Sequence, residues 1–234
     1  MPQANQWGLQ NSYGRAKAAV YNSFIQSGYT PSAAADATAN AVLAQSYLRL
    51  EQPLLTTQNQ LNFPVLVNAA NANTPVRATE KRLNQQDSFF CSSIGIYLAL
   101  AASATDTAFR LETFPNVNIF PNGAAGNETV MPLNNFYNGD MSLVINKSVI
   151  VPNYPLSNFL KVPFAQRLTT TAANTSNEFD PGIVALLEPN WNLVGTKDNR
   201  ILLNLPAQMT AVDANTYVVI ILHGTLAQNV TLMS

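Results

Sequence analysis

The spacing of apolar residues changes once along this chain, near Pro53, and that change limits the folds open to it. Before Pro53 the apolar residues recur every three to four positions. Ala16, Ala19, Val20, Ser23 and Phe24 fall on one helical face. Ser12 stands where a cap would, and Gly28 where such a helix would end. Thr30-Pro31 restarts the pattern, with Thr30 as cap and Pro31 at the first helical position. Ala35, Ala39, Val42, Leu43, Tyr47 and Leu50 then form a second stripe in an alanine-rich run. The spacing predicts an α-helical hairpin, with helices of about 15 and 20 residues, closed by Pro53.

Beyond residue 54 the period becomes two. Leu61 to Val67 reads as a strand, and Pro64 places it at a sheet edge. Ser88 to Ala101 reads as a long strand and Phe109 to Thr113 as a short one. Met141 to Ile145 and Ser148 to Val151 are joined by Asn146-Lys147, a two-residue hairpin loop. Ile183 to Leu187, Arg200 to Leu205 and Tyr217 to His223 complete the set; the last is apolar on both faces and is expected to be central. Pro-, Asn- and Gly-rich stretches separate these runs. Residues 54–234 therefore read as one β-domain, an antiparallel sandwich or barrel, behind an N-terminal arm and two-helix segment at 1–53. Strand–helix alternation is missing after residue 55, which argues against a doubly wound α/β fold.

Charge narrows the function. Only 11% of residues are ionised, against about 25% in an average domain, and 28 Asn supply much of the polar surface. Interface cores are depleted in charge in the same way, so such a surface suits contact with a partner. The net charge of −1 carries no footprint for DNA or RNA, and direct nucleic-acid binding is not expected. Arg77, Glu80, Lys81 and Arg82 read as a solvated loop or strand edge. The single Cys91 excludes an intramolecular disulfide and reads as a small buried residue. Residues 1 to 14 lack the basic and apolar regions of a secretory signal, and Phe89 to Ala104 is too short and too interrupted to span a bilayer.

The chemical inventory is thin. His223 is the only histidine and no neighbouring motif nominates a nucleophile or an orienting acid for it. One His and one Cys do not make a zinc site. The carboxylates are scattered, and Asn174 to Asp180 reads as a polar loop rather than a calcium site. No catalytic residue, metal or cofactor is assigned, and an enzyme is not expected. Recognition has more to work with. Trp191, in Pro189-Asn190-Trp191-Asn192, reads as a loop aromatic able to stack on a sugar or fill a partner's pocket. Phe114, Phe120, Phe136, Tyr137 and Tyr154 lie in similar Pro- and Asn-rich surroundings.

Thr113-Phe114-Pro115-Asn116, Leu133 to Gly139, the strand pair Met141 to Pro152, and Val162-Pro163-Phe164-Ala165-Gln166 carry a resemblance in style. They resemble the β-sandwich capsid and capsid-accessory proteins of bacteriophage virions, including jelly rolls. The resemblance implies a mainly β fold, a jelly-roll-like antiparallel β-sandwich behind the helical hairpin. It implies a non-enzymatic role in a virion assembled in the host cytoplasm, with copies of itself and other virion proteins as partners. One departure is that residues 1 to 14 lack the basic arm that genome-condensing shell proteins carry; Trp7 and Leu9 make that stretch a candidate clasp on a neighbouring subunit. The alternative is a carbohydrate- or receptor-binding β-sandwich, for which Trp191 is the lead residue.

Overall fold

The computed structural model describes residues 3–26, 28–55, 57–67, 77–109, 111, 135–160, 184–209, 215–228 and 230. Two helices, α1 (Gln3–Gln26) and α2 (Pro31–Asn40), precede the strands β1 (Val42–Pro53), β2 (Gln60–Pro64), β3 (Ser88–Leu100), β4 (Asp140–Ile145), β5 (Ser148–Pro155), β6 (Ala185–Val194), β7 (Asn199–Asn204) and β8 (Thr216–Gln228). The chain is mainly β. The strands form two four-stranded antiparallel sheets, ordered β1-β8-β3-β6 and β2-β7-β4-β5. Every connection except the β4–β5 hairpin passes from one sheet to the other.

Alternation explains the layering. Leu48 and Leu50 of β1, Ile94, Ile96 and Leu98 of β3, and Val218, Ile220 and Leu222 of β8 point inward. They meet Leu61 and Phe63 of β2, Met141 and Leu143 of β4, and Ile201 and Leu203 of β7 in one core between the sheets, as in a β-sandwich. Strand β8 is central, between β1 and β3, and β2 with Pro64 is an edge, as the sequence predicts. Asn146 and Lys147 both take positive φ, 49° and 68°, the requirement of the tight turn that matches strand twist. Burial pushes the Cys91 thiol up to about 12, the state of an inert core residue.

The N-terminal region differs from its sequence reading. Helix α1 begins at Gln3 rather than near Ser12, so the expected arm is helical. It ends as expected: Gly28 has φ 90°, Tyr29 N–H donates to Phe24 O at 3.1 Å, and the two rings meet at 5.1 Å. Thr30 caps α2, accepting from Ala33 N–H at 3.4 Å. However, α2 stops at Asn40, and residues 42–53 are strand β1, paired along their whole length with β8. Val42, Leu43, Tyr47 and Leu50 fit helical spacing, but Leu48 and Leu50 also fit period two, and the ladder with β8 decides between them. Tyr47, on the supposed helical stripe, is 39% exposed, while Leu48, off it, is 4% exposed. The boundary in the fold therefore lies at residue 41, not at Pro53. The helical hairpin docks on its own sandwich, with Ala16, Val20 and Phe24 against Phe90 and Ala227.

Two further differences concern strands. The Pro189 to Asn192 stretch, read as a loop, belongs to β6. The expected strand Phe109 to Thr113 is not strand at residues 109 and 111, and its other residues lie outside the described ones. Segment 81–83 runs beside both sheets: Lys81 exchanges main-chain hydrogen bonds with Arg49 of β1, and Leu83 with Val65 and Val67 just past β2.

Candidate functional site

The outer face of the β1-β8-β3-β6 sheet carries the side chains that the core leaves out. Its two ends are covered. The helical hairpin lies over Leu43, Phe90 and Ala227. Phe109 and Leu111 lie over Tyr97, Ala99 and Val219.

Ion pairs hold down the second cover. Glu51, on the outer face of β1, is fully buried; it accepts from Arg49 Nε at 2.6 Å and pairs with Arg77 Nε at 2.9 Å. Thr79 Oγ1 donates to the same carboxylate at 2.7 Å. Arg77 also donates to the carbonyls of Ala104 and Asp106, and its guanidinium lies 5.1 Å from the Phe109 ring and 4.1 Å from that of Tyr217. Arg82 pairs with buried Glu80 at 3.0 Å. Arg77, Glu80 and Arg82 thus belong to a buried network that fixes a loop to the sheet, while Lys81 of the same cluster is exposed at the edge of β1.

Between the covers lies a cleft of about 470 Å³. Gln45 of β1, Thr225 and His223 of β8, Ser92 of β3, Asn190 of β6, and Tyr13 of α1 line it, with Phe90 and Leu43 among the apolar residues. Two irregularities of the sheet coincide here. On β3, Ser92 is an extra residue between the pairs Cys91–Gly224 and Ser93–His223. On β6, residues 187–190 leave the ladder between Trp191, opposite Cys91, and Leu186, opposite Ser93. Bulges of this kind re-aim side chains and gather beside functional sites. The pinched ladder also explains Gly224: a Cβ there would lie 2.0 Å from Phe90 O.

His223 is exposed in the cleft, and partial burial holds its pKa below 6.5, which favours the neutral imidazole. Ser92 Oγ donates to the main-chain carbonyl of His223 at 3.1 Å rather than to its ring. No carboxylate stands among the described lining residues to orient that ring. A proton-relay triad is therefore not assembled among the described residues. They also hold no group of three His, Cys, Asp or Glu side chains set to bind a metal. No described helix is long and apolar enough to cross a membrane. Comparison with protein-family models, with curated proteins and with solved structures finds no match.

The residues singled out from sequence do not converge on one site. Trp191 is on β6 rather than in a loop and is 8% exposed within the core, so its indole offers little surface for stacking. Tyr137 is buried, edge-on to Phe136 at 5.1 Å. Tyr154, on β5, is partly buried against the core, 5.8 Å from Phe159. Trp7 and Leu9 are in α1, with side chains outside the described residues, as are Phe114, Phe120 and the Asn174 to Asp180 loop. Sequence reasoning missed Gln45, Ser92, Asn190 and Tyr13. Their meeting depends on strand order, and the one local signal was His223-Gly224, a glycine where a strand should be densely filled.

Proposed function

We propose that this chain is a non-enzymatic virion structural protein, a capsid or capsid-associated building block that works by subunit–subunit packing. The strand order is the observation that carries the proposal. Eight antiparallel strands in the orders β1-β8-β3-β6 and β2-β7-β4-β5 support a jelly roll, an arrangement found in viral capsid domains as well as in lectins and cupins. Fold alone does not decide among those uses. The charge content points to packing: with 11% of the chain ionised, its surface is readily desolvated against a neighbour. Four of those charges are also spent internally, with Glu51, Glu80, Arg77 and Arg82 buried in the network beside β1. Val42, Val149, Ile150 and Leu186 add exposed apolar surface.

The mechanism is geometric. The sandwich supplies a rigid unit and its uncharged faces supply contacts, which in a stable assembly bury on the order of 1,600 Å² per interface. Light scattering coupled to size-exclusion chromatography tests the reading, alongside electron microscopy of material from the native source. Ordered assemblies containing the chain are expected. A monodisperse monomer at high concentration, with native particles lacking the chain, overturns the proposal.

A further inference from the structure

Beyond a packing role, we infer that the cleft between the two covers binds an uncharged mono- or disaccharide. Its volume of about 470 Å³ falls within the range of small-molecule sites. The lining decides the ligand class. Gln45 and Asn190 offer carboxamides, Ser92, Thr225 and Tyr13 hydroxyls, and His223 an imidazole. All are neutral groups that both donate and accept, the partners that sugar hydroxyls require. No charged side chain stands among the described lining residues to compensate an ionised ligand, so a phosphate or carboxylate would lose its water without gaining a counter-charge. Tyr13, 52% exposed, presents an aromatic surface at the rim.

Position counts against the main rival occupant. A peptide that docks by main-chain pairing needs a free sheet edge. The cleft spans the sheet face across all four strands, and its central strands β8 and β3 are already paired on both sides. The construction is specific to this spot. The Ser92 bulge and the excursion of residues 187–190 open the sheet at one level, and Gly224 lets the strands close up beneath them.

Saturation-transfer difference NMR on the intact chain provides the test. Glucose, galactose, N-acetylglucosamine, lactose and maltose serve as probes, with sialyllactose, glucose 6-phosphate and a blocked Asn-Ala-Ser tripeptide beside them. Transfer to at least one neutral sugar at millimolar concentration is expected, with weaker transfer to the charged ones. Gln45 is exposed and Asn190 half-buried, so Gln45→Ala and Asn190→Ala should leave the thermal melt unchanged. Each should weaken binding about tenfold, the equivalent of one hydrogen bond. Tyr13→Ala, on α1, supplies an independent variant from a different element. No transfer to any neutral sugar, transfer undiminished in the combined variant, or transfer to the tripeptide alone would overturn the inference. Light scattering on the same samples reports assembly separately, so failure of sugar binding and failure of the packing role are read apart.

Discussion

Two regions cover the same sheet face with opposite chemistry. The helical hairpin rests on Ala16, Val20, Phe24 and Ala34 against Phe90 and Ala227, a contact of aliphatic and aromatic surface. The other cover, built from residues 77–80, 101–109 and 111, is held by Arg77, Glu51, Arg49 and two aromatic rings. Apolar burial is non-directional and grows with area. A buried ion pair is directional, and losing one partner costs more than the pair contributes, because an uncompensated charge stays behind. The hairpin should therefore tolerate small changes in fit, while the ionic cover should fail when a single contact is lost.

Arg77→Ala should show the largest effect. It takes the cation from Glu51 Oε2, leaving the buried carboxylate with Arg49 alone, and should cost about 3 kcal/mol in urea unfolding. Adding Glu51→Gln should recover part of that loss; a double variant no better than the single one would break the comparison. Phe24→Ala comes next, at about 3 kcal/mol, since this 8%-exposed ring fills the hairpin contact. Hydrogen exchange should then rise in α1 and α2 while β3 and β8 stay protected. Thr30→Ala removes the cap of α2 and should cost at most about 1 kcal/mol, because its 3.4 Å bond is long.

The smallest effect separates the covers by pH. Asp106 accepts from the main-chain N–H of Ala102 and Ala108, both at 2.9 Å, which holds its pKa below the ordinary 3.8. Its contribution is complete above 3.8 and is lost as pH falls through the depressed value. Asp106→Asn should flatten that acid limb in a melting-temperature profile. Phe24→Ala should leave its shape unchanged, because Phe24 packs on apolar groups and the carboxylate beside the hairpin, Glu188, is exposed and only 3.9 Å from Arg15.

What the sequence revealed follows the range of each signal. Strands with clean alternation, the Asn146-Lys147 turn, the Gly28 stop and the Thr30 cap were legible because each is decided within a few residues. Strand β1 was not, because residues 42–50 satisfy two periods and the choice rests on β8, more than 160 residues away. Trp191 was misplaced because its Pro and Asn neighbours signal a loop. Yet Leu187, Trp191 and Leu193 all reach the core, and Pro189 is tolerated where β6 leaves the ladder. The charged network hides for a similar reason: Glu51 and Arg77 are distant in sequence, and a lone cluster of Arg and Glu looks solvated. The cleft was the least legible feature, since four strands and a helix, distant in sequence, share its lining.

Segment 81–83 has a mechanical consequence. By bonding to Arg49 on one sheet and to Val65 and Val67 beside the other, it binds the two layers along the β1/β2 side like the spine of a book. Sliding or parting of the layers is then resisted at that side. Transient opening should begin along the far margin, where β5 and β6 end their sheets, so amide protons there should exchange before those of β1 and β2.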